Sequence, residues 1–347
     1  MRPESRLPLA LTGFGLPHVM GYLATQSGER ANPVLDAFGL MDAALELGLS
    51  GIEAPLPALS GAPLEAWRDA LAQRQLRLVA DLPVTLDAEP ELIIGWLEVA
   101  ARLGAGVVRT TLSTILCGDR RALPGGWQAH LERRAARLRQ VLPVARGLGV
   151  CLAVENHQDA TSADLLRLAD LVDGNPAYGI TLDTGNPLAV GEDPVEFTRR
   201  VAPLIRHVHL KDYTLHAAPQ GFRLVRCAAG DGVIDFPEIL RIVGKNGHAL
   251  LPGIEIAAQA TRTIPLLADA WWACYPPVSA TELLPLLRLI WAQARPASEP
   301  YASAWERGAG SPEVQAEEWD LVRRSAAHFR RLLASAPSLE PAQRAEA

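Results

Sequence analysis

Val150-Cys-Leu-Ala-Val-Glu-Asn-His157 is an apolar, β-branched run that turns polar at Glu155, and the second half of the chain repeats this pattern three more times. Tyr178-Gly-Ile-Thr-Leu-Asp-Thr-Gly-Asn186 carries Asp183, Ile205-Arg-His-Val-His-Leu-Lys-Asp212 carries His209, and Pro252-Gly-Ile-Glu-Ile256 carries Glu255. A buried parallel strand reads this way where it delivers functional groups at its C-terminal end. The four groups fall about one strand-plus-helix unit apart, the last interval widened by an insertion. That spacing predicts that they sit on adjacent strands five to eight and face one pole of a barrel.

Working outward, strand-like runs near Leu9–Phe14, Gly51–Ala54, Leu76–Leu82, Gly106–Thr111, Val150–Glu155, Gly179–Asp183, His207–Lys211 and Leu250–Ile256 alternate with amphipathic segments. These segments are Pro33–Leu47, Leu64–Gln73, Glu91–Leu103, Trp127–Leu148, Ala163–Val172, Pro194–Leu204 and Phe236–Val243, with apolar residues recurring at i, i+3 and i+4. Leu47-Gly48, Leu103-Gly104 and Leu148-Gly149 place a glycine where a helix should end. The pattern predicts an α/β fold, a (β/α)8 TIM barrel over residues 1–275, with an eighth helix near Trp271–Tyr275. Residues 276–347 read as a C-terminal helical extension with helices at Ala280–Ala294 and Val314–Leu333, packed on the barrel or on a second subunit. Tyr213 to Asp235 reads as a long loop, a lid or substrate loop carrying Arg223, Arg226 and the turn Gly230-Asp-Gly232.

Composition narrows the function classes. Of 347 residues, 49% are hydrophobic and 21% charged, enough apolar material for a large core. The net charge of −6 gives no broad basic field, so nucleic acid is a poor partner and a small molecule a better one. Cys117, Cys151, Cys227 and Cys274 are scattered, without a C-x-x-C pair, which points to a reducing cytoplasm rather than a disulfide or structural zinc framework. The two arginines before a short apolar run in Met1–Leu11 resemble a leader, but Gly13, Gly15 and Pro17 break the run and favour a first barrel strand. No apolar stretch is long enough to span a membrane. The G-x-G-x-x-G, P-loop and G-x-S-x-G signatures are absent, so nothing signals dinucleotide, nucleoside triphosphate or serine-hydrolase chemistry.

Two Glu, one Asp and one His make an oxygen-rich, one-imidazole set suited to a hard or borderline divalent ion. A carboxylate at a buried strand end is costly unless it is paired or bound to metal. The runs Glu155-Asn-His157, Leu182-Asp-Thr-Gly-Asn186, His207-Val-His-Leu-Lys-Asp212 and Gly253-Ile-Glu255 resemble, in order, the motifs of the xylose-isomerase-like TIM barrel superfamily, over about residues 7 to 275. That superfamily includes ketose 3-epimerases, hydroxypyruvate isomerase, inosose dehydratase and sugar-acid decarboxylases. The resemblance implies that Glu155, Asp183, His209 and Glu255 are ligands of a divalent cation, Mn2+ foremost and Mg2+, Co2+ or Zn2+ as alternatives. It also implies that Glu155 and Glu255 double as acid and base.

Isomerisation, epimerisation, dehydration and β-keto-acid decarboxylation all pass through a metal-bound enediolate, so the metal site fixes the intermediate and leaves the reaction open. Ketose epimerases of this superfamily carry a His three residues after the strand-six Asp; this chain has Asn186, which cannot gain a proton. The strings around Glu155, Asp183, His209 and Arg223-Leu-Val-Arg-Cys227, with the long tail, are most similar to the 3-oxo-isoapionate decarboxylase branch. That similarity implies a lyase acting on a small 3-oxo sugar acid, with Lys211 or Arg226 docking the carboxylate. The runner-up is a sugar isomerase or 3-epimerase, and a catalytically silent sugar-binding barrel is a further alternative. An endonuclease-IV-type enzyme would need many histidines and a basic groove, which eight His in an acidic chain do not supply.

Around the four ligands, His157 shares a strand face with Glu155, for substrate contact or a hydrogen bond to a ligand. Lys211 shares a face with His209, and substrate contact is favoured there over a core ion pair. His207 reads as a satisfied interior histidine, His18 as a surface-loop histidine with the pocket as its other destination, and Trp271 and Trp272 as packing. Glu53 and Arg109, at the ends of strands two and four, have pairing with each other across the barrel mouth as an equal alternative to a role in the pocket. A homo-oligomer is left open.

Overall fold

The structure is a computed structural model of the chain and describes residues 6–28, 35–56, 63–257, 259–299 and 301–335. Eight parallel strands close a barrel in the order β1 (Leu7–Thr12), β10 (Gly253–Ile254), β7 (Ile205–Leu210), β6 (Tyr178–Asp183), β5 (Cys151–Glu155), β4 (Val107–Thr111), β3 (Arg77–Asp81) and β2 (Leu49–Pro55). Helices α1 (Ala37–Glu46), α2 (Leu64–Arg74), α3 (Pro90–Arg102), α4 (Gly126–Gly147), α5 (Ser162–Leu171), α6 (Pro194–Val201) and α7 (Phe236–Val243) alternate with the strands, which is the TIM barrel read from the periodicity. Strands covered on both faces can be apolar throughout, and β6 is buried at every position. Side-chain caps start several helices: Thr161 and Asp164 form a capping box at α5, and Asp193 accepts from Val195 N and Glu196 N at α6. Gly48, Gly104 and Gly149 adopt φ of +68°, +79° and +70°, the left-handed turn that the Leu-Gly pairs predict.

Strand register sets the site. Asp183 pairs with His209, His209 with Gly253, and Glu155 with Thr181, so the polar ends of β5, β6, β7 and β10 reach one rim at nearly one height. Because alternate residues face inward, Asp183, His209 and His207 point into the barrel while Leu182 and Val208 pack outward against helices.

Three elements depart from the sequence reading. The Tyr213–Asp235 insertion is not a loop. It folds as an antiparallel hairpin, β8 (Asp212–Ala218) with β9 (Gly221–Cys227), extended by β11 (Arg262–Ile264) on the far edge of β9. The physical reason is a period of two: Tyr213 and Leu215 on one strand, Phe222 and Leu224 on the other, all fully buried on a shared face. Asp212 then gathers the Gly230-Asp-Gly232 turn, accepting from Gly230 N (2.9 Å), Gly232 N (3.0 Å) and Ile234 N (3.1 Å).

The ladder of the eighth strand is confined to Gly253–Ile254, with Leu250–Pro252 outside it. The eighth helix, expected near Trp271–Tyr275, is a single turn placed two residues earlier, α8 (Asp269–Trp272). Trp271 stacks on Tyr275 (centroids 4.6 Å apart) and donates Nε1–H to Cys117 O (2.8 Å), so this turn braces the loop after β4. Trp271 and Trp272 are packing residues, as read.

Beyond lie α9 (Ala280–Gln293) and α10 (Ser311–Ser335). Phe329 of α10 meets Phe236 at the start of α7 (5.0 Å), and Arg330 donates to Leu47 O at the end of α1 (2.9 Å). Helix α10 thereby covers the barrel between α7 and α1. The start of the predicted first helix at Pro33–Val34, the first five residues of the leader-like run and residues 336–347 of the extension lie outside the described residues.

Candidate metal centre

One ligand atom from each of Glu155, Asp183, His209 and Glu255 lies within 4.8 Å of the others, and all four residues are buried. His209 Nδ1 stands 2.7 Å from Glu255 Oε2 and 3.8 Å from Glu155 Oε1. Asp183 Oδ1 accepts from Gly185 N (2.9 Å) and Asn186 N (3.1 Å), while its Oδ2 faces the Lys211 ammonium, which also lies 2.7 Å from Glu255 Oε1. Asn156 holds the strand end that presents Asp183: its Oδ1 accepts from Asp183 N (2.7 Å) and its Nδ2 donates to Asp183 O (3.0 Å). Gly185 is required for close approach, because a Cβ there would run into the Tyr213 ring.

Burial opposes ionisation of these acids, and their neighbours decide the outcome. Burial would raise Glu155, but the Arg109 guanidinium and His209 hold it well below the usual carboxylate range. Burial likewise works against Glu255, and His209 with Lys211 overcome it. For Asp183 burial wins over Lys211, helped by the charges of Glu255 and Glu155, and its carboxyl is raised.

Behind the ligands stands a second set of groups. Glu53 Oε2 lies 2.8 Å from His209 Nε2 and 2.6 Å from His207 Nε2, and burial of this carboxylate is outweighed by the two imidazoles, which take it down to about 2. Arg109 donates to Glu155 Oε2 (Nε, 2.6 Å) and to Asp81 Oδ1 (2.7 Å). The pairing of Glu53 with Arg109 read from the sequence is therefore corrected: across the barrel Glu53 meets the histidines of β7, and Arg109 bridges the neighbouring strands β3 and β5. His207 is interior, as read, but only half satisfied: its Nε2 meets Glu53, and among the described residues its Nδ1 has no hydrogen-bond partner.

His18 is not on the surface. It is buried against α10, where Glu318 accepts from its backbone N (3.0 Å) and faces its Nδ1 (2.6 Å).

His157, Asn186, Lys211 and Arg226, the residues expected from the sequence to bind substrate, lie near the four carboxylate and imidazole groups. Lys211 is buried in ion pairs with Asp183 and Glu255, where the sequence reading favours substrate contact. Asn186 donates Nδ2–H to Glu155 Oε1 (3.3 Å), and its Oδ1 has no hydrogen-bond partner. His157 Nδ1 is also without one, and burial, outweighing the charge of Glu155, takes its imidazole down to about 4, so it is neutral. Arg226 is buried with its guanidinium over the Tyr213 ring (4.4 Å) and no hydrogen bond to Nε or one Nη. Asn156, Asp81 and Tyr213 were missed as site residues; only the strand-end position of Asp81 and the repeated Asn after a ligand pointed to them.

The residues fit a divalent cation. His209 turns Nε2 to Glu53 and Nδ1 to Glu255 (2.7 Å), and although burial opposes it these carboxylates hold the imidazole charged, so a divalent ion would take the place of the Nδ1 proton among them. Three carboxylates and one imidazole match a hard or borderline ion.

The profile of the xylose isomerase-like TIM barrel family matches residues 41–265. A 3-oxo-isoapionate decarboxylase from Pectobacterium atrosepticum is 27% identical over 228 residues, 63% of this chain and 76% of that protein. An inosose dehydratase from Clostridium botulinum is 32% identical over 99 residues, 25% of this chain and 33% of that protein. Among solved structures, a xylose isomerase-like TIM barrel protein from Mycobacterium smegmatis in complex with magnesium superposes with a TM-score of 0.54 at 20% identity, covering 82% of this chain and 97% of that one. Barrel, strand-end carboxylates and profile agree, and the chain belongs to the xylose isomerase-like TIM barrel family.

Proposed function

We propose that this chain is a divalent-metal-dependent lyase that releases CO2 from a small 3-oxo sugar acid in sugar catabolism, with Glu155, Asp183, His209 and Glu255 as ligands of Mn2+ or a related ion. The convergence of those four groups at one buried point carries the reading. Similarity to a 3-oxo-isoapionate decarboxylase over 76% of that protein supports the reaction. The magnesium bound in the Mycobacterium smegmatis structure supports the ion type. A bound divalent ion would supply Lewis acidity to a ketone oxygen and its neighbouring hydroxyl.

The chain's own residues do the rest. Arg226, buried without a countercharge, docks the carboxylate, and the neutral His157 and the free Oδ1 of Asn186 take substrate hydroxyls. When the bond to the carboxyl carbon breaks, CO2 leaves and the electron pair is delocalised toward the ketone as an enediolate. A proton must then reach the carbon that lost CO2. Lys211 supplies it by way of Glu255, 2.7 Å from the ammonium, which Asp183 and Glu255 keep charged against burial, and water then reprotonates the amine. Glu155, held ionised against burial by Arg109 and His209, accepts a hydrogen bond from a substrate hydroxyl on the other flank. Asn186 in place of an ionisable group argues against two-base epimerisation. Four free thiols favour a reducing cytoplasm.

NMR of a 3-oxo sugar acid with Mg2+-loaded protein in D2O tests this. Loss of one carbon as CO2 with deuterium at the adjacent carbon supports the lyase. Exchange of a C–H proton with an intact skeleton supports an isomerase or epimerase instead.

A further inference from the structure

The inserted sheet presents one face built by its register: Tyr213 pairs with Arg226, Leu215 with Leu224, and Leu224 with Arg262, so these side chains lie on a single side. Arg226 and Arg262 are the charged members of that row. Among the described residues, buried Arg226 has no hydrogen-bond partner for Nε or one Nη, and half-buried Arg262 has none for Nε. Among the described residues no carboxylate pairs with either. They are also close enough to oppose each other: burial, then the charge of Arg262, take the Arg226 guanidinium down to about 10, while Asp183 and Glu255 act in the other direction. Arg226 therefore lies in the neighbourhood of the proposed metal ligands, and Arg262 stands beside it across the strand pair.

Cys117 supplies no countercharge: burial raises its thiol against the pull of both guanidiniums, and its backbone is pinned by Gln158 Oε1 (3.0 Å) and Trp271 Nε1 (2.8 Å). Burying an unpaired guanidinium is costly, and placing a second beside it adds to the cost. Such an arrangement is favourable only when an anion from outside the chain completes it.

We infer that Arg226 and Arg262 form a two-arginine clamp beneath the inserted sheet that receives the carboxylate of the substrate, so that the site takes polyhydroxy acids in preference to neutral sugars of the same length. This rests on the reading of the adjoining carboxylate cluster as the substrate pocket, and it adds Arg262 as the second cation. The edge of the Arg226 guanidinium, whose face lies over Tyr213, can grip both carboxylate oxygens, and a second guanidinium adds donors for their remaining lone pairs. The clamp belongs to the three-stranded side sheet, Arg226 from the insertion and Arg262 from β11, so that sheet sets substrate class while the barrel sets chemistry.

Calorimetric titration of Mg2+-loaded protein with threonate and with threitol, a matched acid and polyol, tests the inference. The wild type should bind threonate at least about tenfold more tightly than threitol. Arg262→Met should lose about tenfold or more for threonate while threitol changes less than about twofold. Arg262→Gln serves as a second variant should the methionine form fold poorly. Equal affinity for acid and polyol in the wild type, no measurable binding of threonate, or an unchanged threonate affinity in the Arg262 variants would each overturn the clamp. CO2 release with an unaltered KM in Arg262→Met sinks the clamp and leaves the lyase reading intact. Tight threonate binding that depends on Arg262, without CO2 release from any 3-oxo acid, sinks the lyase reading and leaves the clamp.

Discussion

Glu53 braces His209 from behind: its Oε2 lies 2.8 Å from His209 Nε2, while His209 Nδ1 faces Glu255 at 2.7 Å on the other side of the ring. A carboxylate there fixes both the tautomer and the plane of the imidazole and raises the basicity of the nitrogen turned to the cation. Glu53→Gln removes that charge and should weaken Mn2+ binding about 10- to 100-fold, read by calorimetry. An unchanged affinity would show that the ring is held by packing alone.

Arg109 is the shared partner of Asp81 and Glu155, and all three are largely buried. Replacing it with methionine leaves two carboxylates without a cation and should destabilise the fold by about 3–5 kcal/mol in urea unfolding. Because a divalent ion restores positive charge beside Glu155, Mn2+ should recover more stability in Arg109→Met than in the wild type. Equal recovery in both would place the ion elsewhere.

Asp159 has a different signature. Burial pushes its carboxyl from 3.8 up to about 8, against the hydrogen bond from Ser113 (2.6 Å) and the charge of Arg120. Between those values the folded state keeps a proton that the unfolded chain releases, so this contribution to stability is complete below about pH 4 and is lost as pH rises toward about 8. Asp159→Asn should therefore flatten the decline in unfolding free energy between pH 5 and 8 and gain on the wild type as pH rises. A slope identical to wild type would mean the group is ionised when folded.

Glu318 ties α10 to the loop after β1, accepting from His18 N and from Val19 N (3.1 Å) and facing His18 Nδ1. Glu318→Ala strands these buried donors and should cost about 2–4 kcal/mol. Amide exchange at His18 and Val19 should quicken more than in β5 or β6; uniform quickening would argue for a general loss of stability instead.

The barrel was legible because its signals are local. Strand runs that end in Glu155 or Asp183, and Leu-Gly helix ends, need only a few neighbouring residues to read. Register then follows from the pattern, as the direct pairing of Asp183 with His209 shows. Contacts across the barrel are not local, which is why Glu53 was seen as a strand-end acid yet given the wrong partner. Its true contacts depend on the closure that sets β2 opposite β7. The hairpin was readable in principle from the alternation of Tyr213, Leu215, Phe222 and Leu224, but the charges of Arg223 and Arg226 and the glycine-rich turn weighted the reading toward a loop. Nor could His18 be placed, since its partner Glu318 is 300 residues away.

An anomalous difference map from crystals of this protein grown with Mn2+ tests the central claim most directly. The account predicts one peak per chain enclosed by Glu155, Asp183, His209 and Glu255, at about 2.0–2.3 Å from each, and its loss in Asp183→Asn. A map with no peak there, or with manganese held only by other residues, would contradict it.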